Sequence, residues 1–222
     1  MTAFEFENCN FSNLTSVSMG TFNTVTSVSF AGTSLAKATA LPSLVSSALT
    51  TLSYADVSLP SLTGFALYGY SYPNLATLDF EGAVFSELTY FYISSCTALT
   101  SVNLRDTDFS NCSIFKFENC SALPSITLYG MHALRIFEDA FSGCSSLTEV
   151  NFVNCSYGPD DWLTTPQTSW NNNAFTKMFK NCTALTSVDL SCFASTKRSY
   201  NCNFTSMFEG CTSLTSVTLP AV

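Results

Sequence analysis

The chain has 222 residues, 46% of them hydrophobic and only 11% charged, with a net charge of -8. That is ample apolar material for a continuous core and excludes a disordered polymer. The acidic balance, with Lys197-Arg198 the only adjacent cations, excludes nucleic acid as a partner, since a phosphate backbone is held by clustered Lys and Arg; no run reaches the roughly 18 to 20 apolar residues of a membrane span.

The chain opens on Met1-Thr-Ala-Phe4-Glu-Phe6, which has neither the basic start nor the apolar run of a signal peptide. Phe4-x-Phe6 reads instead as a strand. A short phrase then recurs along the chain, first as Leu14-Thr-Ser-Val17-Ser-Met19 and later as Leu99-Thr-Ser-Val102-Asn-Leu104, Leu123-Pro-Ser-Ile126-Thr-Leu128, Leu147-Thr-Glu-Val150-Asn-Phe152, Leu185-Thr-Ser-Val188-Asp-Leu190 and Leu214-Thr-Ser-Val217-Thr-Leu219. Its first apolar residues, Leu14, Val25, Leu49, Leu62, Leu75, Leu88, Leu99, Cys112, Leu123, Leu147, Leu185 and Leu214, are mostly spaced by 11, 13 or 24. Eleven plus thirteen makes one coil, so two short strands alternate within each 24-residue coil. Ala38 and residues 131–136 stand as degenerate partners in the longer gaps.

Self-similarity at a fixed period predicts a solenoid, because each unit buries its apolar face only against its neighbours. The expected fold is a single repeat domain over 1–222, a leucine-rich repeat or β-solenoid of about nine coils with short 3₁₀ or helical turns. Coils rising by one interstrand spacing, about 4.8 Å, give a rod on the order of 40 Å with parallel sheets along its axis. Intervening positions such as Ser101, Asn103, Asn151, Ser187 and Asp189 are expected to face water and offer a polar binding face.

A second signature precedes many strands: Phe117-x-x-Cys120-x-x-Leu123, Phe141-x-x-Cys144-x-x-Leu147, Phe179-x-x-Cys182-x-x-Leu185 and Phe208-x-x-Cys211-x-x-Leu214. Residues three apart share one face of a turn, so both Phe and Cys should point inward. Cys96, Cys120, Cys144, Cys182 and Cys211 then form an internal column of small side chains, with Cys9 and Cys155 expected to join it. Stacked thiols pointing the same way disfavour disulfides, and without a C-x-x-C pair no zinc site is expected. Cys192 and Cys202 differ, since they bracket the insertion at 191–206; a disulfide between them would suit an extracellular chain.

The L-x-x-V-x-L phrase joined to A-F-x-x-C-x-x-L resembles the BspA-like leucine-rich repeats of bacterial and protist surface proteins. The version at 178–191, Met178-Phe179 through Leu190-Ser191, is similar to the related repeat of bacterial surface lipoproteins. The resemblance is best from residue 88 onward, while 20–85 keep the strands but lack the Cys. It implies a surface-exposed adhesion role.

No chemistry is legible. His132 is alone in the sequence and reads as a turn residue rather than a catalytic base. Asp106-Thr-Asp108 lacks the glycine and distal glutamate of a calcium loop. No enzyme activity and no cofactor or metal is expected. Seven N-x-S/T sequons, at Asn10, Asn13, Asn111, Asn119, Asn154, Asn181 and Asn203, are partly a by-product of the repeated Asn-Cys-Ser/Thr phrase and bear sugar only in a cell equipped to attach it.

The period fails most at 153–176, which holds Asp160, Asp161, Trp162 and Trp170. Insertions in solenoids emerge as loops on one face and exposed aromatics anchor partners, so these residues are candidates for binding. Both ends fall inside a repeat without polar caps, which points to a longer protein or to copies stacked end to end. The resulting expectation is an extracellular or cell-surface module for a protein or glycan partner. A structural subunit that polymerises into filaments is the alternative.

Overall fold

A computed structural model describes residues 1–41, 43–132, 136–156, 175–193 and 203–220. The first half of each coil contributes one line of strands: β1 (Ala3–Glu5), β3 (Ser27–Ser29), β5 (Thr51–Ser53), β7 (Thr77–Asp79), β9 (Ser101–Asn103), β11 (Ser125–Tyr129), β12 (Glu149–Val153), β13 (Ser187–Asp189) and β14 (Ser216–Thr218). The second half contributes β2 (Ser18–Thr21), β4 (Ser43–Val45), β6 (Gly64–Tyr68), β8 (Tyr90–Ser94) and β10 (Ile114–Glu118). Every pairing is parallel, and the registers Ala3↔Ser27, Ser27↔Thr51, Thr77↔Ser101 and Ser125↔Glu149 step by the coil length read from the sequence. Further along the second line, Ile136 forms a parallel bridge to Ile114.

Strands this short are held by what they bury. An apolar residue at the second position of most first-line strands points in, as with Val28, Leu52, Leu78, Ile126 and Val150, while Ser101, Asn151, Ser187 and Asp189 face outward. Aromatic rings at one position stack coil upon coil: Phe6 on Phe30 at 5.1 Å, Phe30 on Tyr54 at 5.4 Å and Tyr54 on Phe80 at 5.6 Å. A second ladder runs through Phe65, Phe91 and Phe115, and a third through Phe141, Phe179 and Phe208. Coils rising by the strand spacing bring equivalent rings to the offset-stacked separation aromatic pairs prefer. Leu14 is exposed, whereas its counterparts Ala38, Leu62, Leu88 and Cys112 are buried.

The chain turns each corner through a residue in the left-handed region. Asn8, Gly32, Asp56, Gly82, Asp106, Gly130 and Asn154 form one column of such corners, and Ser95, Asn119, Gly143, Asn181 and Gly210 another. Asx and Gly alternate along the first column, and at Gly32, Gly82, Gly143 and Gly210 the Asx side chain of the preceding coil lies across the glycine, whereas a Cβ at Gly130 would meet nothing. A Cβ at Gly32 would collide with Asn8 Oδ1, and one at Gly143 with Asn119 Oδ1. Asn and Gly are also the residues that adopt this backbone at least cost.

The residue after each corner points inward, and this divides the cysteines. Cys96, Cys120, Cys144, Cys182 and Cys211 follow the second corner and form the expected column. Cys9 and Cys155 do not join it. They follow the first corner, in line with Thr33, Val57, Ala83, Thr107 and Met131, because each coil has two equivalent corners and both demand a small or flexible buried residue. In both columns the Sγ or Oγ donates to a carbonyl of the neighbouring coil: Cys144 to Phe117 at 2.8 Å, Cys182 to Phe141 at 3.0 Å, Thr107 to Phe80 at 2.8 Å and Cys155 to Leu128 at 3.4 Å. Phe141 and Cys144 are both fully buried, joined by a turn in which Cys144 N donates to Phe141 O at 3.1 Å. Short turns of this kind replace the helices of longer repeats; the described 3₁₀ segment is Ser191–Phe193.

Candidate binding surfaces

The first strand line is continuous in geometry but not in hydrogen bonding. Its ladders join β1 through β9, β11 to β12 and β13 to β14, and none joins β9 to β11 or β12 to β13 among the described residues. The second break coincides with the longest interval, 38 residues between Glu149 and Ser187 where most intervals are 24. A groove of about 540 Å³ opens there, lined by Thr127, Glu149, Asn151, Val153, Ser187 and Asp189 among others. Unpaired strand edges on both sides offer backbone donors and acceptors. The exposed Val153 adds an apolar contact, and Glu149 and Asp189 set a negative rim.

Two of the sequence candidates, Asn151 and Asp189, are thus brought together. Asp189 Oδ1 accepts from Ser191 N at 2.8 Å, and that bond, with a second from the Ser191 hydroxyl, holds its carboxyl below the usual range. Asn103 sits elsewhere, on β9, donating to Glu81 Oε2 at 3.0 Å and accepting from Arg105 N at 3.2 Å. Asp160, Asp161, Trp162, Trp170 and Cys202 lie outside the described residues. Cys192, also at the groove, has a free thiol that burial pushes up to about 12.

The column thiols are free as well, and burial raises them, Cys96 to about 11 and Cys182 to about 12, with Cys120 and Cys144 raised likewise. Such groups are poor nucleophiles and poor metal ligands at neutral pH. His132 Nδ1 shares a hydrogen bond of 2.9 Å with Ser156 Oγ on the exposed surface, a link between adjacent coils. No carboxylate bonds to the imidazole and no His/Cys/Asp/Glu group suits a metal among the described residues. Asn119 and Asn181 are corner residues whose side chains pack against Gly143 and Gly210.

A second surface escaped the sequence reading. Tyr68 and Tyr90 are exposed on the second strand line and Tyr70 in the turn after β6, beside the half-buried Tyr92. Tyr68 stacks on Tyr70 at 5.5 Å and meets the edge of Tyr92 at 5.8 Å. Tyr92 donates its hydroxyl to Glu118 Oε2 at 2.7 Å; burial, with the Glu118 carboxylate adding to it, raises this phenol. Alternation of Tyr90-x-Tyr92 across buried Phe91 and Ile93 was the available signal, since alternate residues of a strand share one face.

The family model described as "BspA type Leucine rich repeat region (6 copies)" matches residues 63–158 and 164–222. Six first-line strands, β7, β9 and β11 through β14, fall in those stretches, and β1, β3 and β5 precede them. No curated protein matches the chain. No helix among the described residues is long and apolar enough to cross a membrane.

Proposed function

The chain belongs to the BspA-type leucine-rich repeat family, and on that premise we propose that it is a non-catalytic, cell-surface module that adheres to a partner protein through the groove between β12 and β13. Repeat modules of this family are often surface-associated and serve protein binding. The observation that carries the reading is the interrupted ladder. Two strand edges that no ladder joins face each other there across a groove, at the longest interval in the strand line. An extended segment of the partner can satisfy such edges with its own backbone while side chains take the polar rim, the mode of β-strand addition. Basic residues in that segment complement Glu149 and Asp189.

Selection of peptides from a displayed library on the immobilised chain tests this. The expected binders are extended and basic, and Asn151→Arg together with Glu149→Lys weakens them by about tenfold or more. Binders indifferent to both substitutions would remove the groove from the reading. A second reading, that copies of the chain associate into a filament, rests on the exposed Val217 of β14 and the exposed Leu219 beside it. A concentration-dependent rise in mass by light scattering, abolished by Val217→Lys, is the outcome that favours it.

A further inference from the structure

We infer that the outer face of β6, β8 and β10 is a binding platform for a neutral oligosaccharide, a site separate from the groove between β12 and β13. The registers Gly64↔Tyr90↔Ile114, Ala66↔Tyr92↔Lys116 and Tyr68↔Ser94↔Glu118 place these residues in three rows across the sheet. Strands lie about 4.8 Å apart and like-facing residues about 6.6 Å apart along each strand, so the rows form a shallow field wide enough for more than one pyranose ring.

The floor is small by construction. The distal edge of the Tyr90 ring occupies the space a side chain at Gly64 would fill, and Ala66 leaves the next row low. Around this floor stand the rings of Tyr68, Tyr70, Tyr90 and Tyr92. A pyranose carries polarised C–H groups on one face and hydroxyls around its rim; the negative face of a tyrosine ring attracts the first, and its hydroxyl can bond the second. Glu118 is held on this face by the bond from Tyr92. Its carboxylate retains lone pairs for sugar hydroxyls to donate to. Lys116, in the Tyr92 row, forms no salt bridge with a described residue and can donate to a sugar oxygen.

The same features select against other occupants. One lysine beside one glutamate, in a chain of net charge -8, repels a phosphate backbone. Strand addition at the centre is blocked, because β8 is already paired on both sides. A protein hot spot fills a desolvated pocket, whereas this field is an open surface of ring faces and hydroxyl tips.

The test is calorimetric titration of the full chain with cello-, xylo-, manno- and chito-hexaose, each to about 10 mM, the weak end of specific binding. At least one is expected to bind. Tyr68→Ala and Tyr90→Ala are each expected to weaken it about tenfold, and Tyr92→Phe and Glu118→Gln by less, since they remove one polar contact and keep the rings. Circular dichroism of each variant separates loss of the site from loss of the fold. Asn151→Arg, in the groove, is expected to leave saccharide binding unchanged, so failure here and failure of the groove reading are told apart. Absence of binding to all four sugars, or binding that survives Tyr68→Ala and Tyr90→Ala, overturns the inference. So does a selected peptide that competes for these tyrosines, which would make the face a protein interface.

Discussion

Cys144→Ala probes the principle that holds the coils together. The side chain is completely buried, and its Sγ donates to Phe117 O, 27 residues earlier, at 2.8 Å. Truncation removes a group slightly larger than a methylene, costing about 1 kcal/mol of burial. It also deprives a buried carbonyl of its donor, which for a weak thiol donor adds about 1 kcal/mol, the low end for an unmet acceptor. The sum is about 2 kcal/mol, or about 4–8 °C in Tm for a chain of this size. Cys211 makes the same bond at 2.9 Å but is only partly buried, so Cys211→Ala is expected to cost less than about 1 kcal/mol. Urea unfolding followed by far-UV circular dichroism gives both values by linear extrapolation. Equal losses for the two variants would show that the column is not stabilised by burial and coil-to-coil bonding, and the reasoning would fail.

Two further perturbations bear on the corners and the thiols. Gly143→Ala places a Cβ on a backbone with φ of 77°, against Asn119 Oδ1; a loss of about 2 kcal/mol is expected, and the double variant with Asn119→Gly should recover part of it in a mutant cycle, whereas strict additivity would dismiss the contact. The buried thiols make the fold sensitive to alkali: Cys112 and Cys182 are raised from 9.0 to about 12, so above 9.0 the unfolded chain loses protons that the folded chain keeps, and stability must fall as pH rises from 9.0 to about 12. Denaturant midpoints that stay flat or increase across that window contradict the assignment.

Much of the architecture was legible because a solenoid converts tertiary contacts into a sequence period. The spacing of 11 and 13 identified both strand lines, even where Ala38 replaced the usual Leu, and Ala38 is buried as its place requires. The expected Cys column formed for the same reason. The misplacement of Cys9 and Cys155 has a physical cause. Both corners of the coil use a left-handed residue followed by a buried small one, so Asn-Cys marks a corner without saying which.

The candidate surfaces were less legible. Asp189 and Asn151 were picked as polar positions on a periodic face, but their meeting in a groove depends on a broken ladder between β12 and β13. Nothing in the repeat phrase at Leu185-Thr-Ser-Val188 distinguishes that strand from those that pair. The tyrosine face arises from registers between coils about 24 residues apart; in the sequence Tyr68 and Tyr92 are merely two aromatics among many.

By itself, then, the sequence determined the class of fold, the coil length and the inward-facing residues, since each depends on local periodicity and on which side chains avoid water. Only the tertiary structure decided which coils hydrogen-bond to one another, which of two identical corners each cysteine occupies, and which outward residues become neighbours. Those outcomes depend on register and spacing between coils, and two coils with the same pattern of buried residues can differ in both.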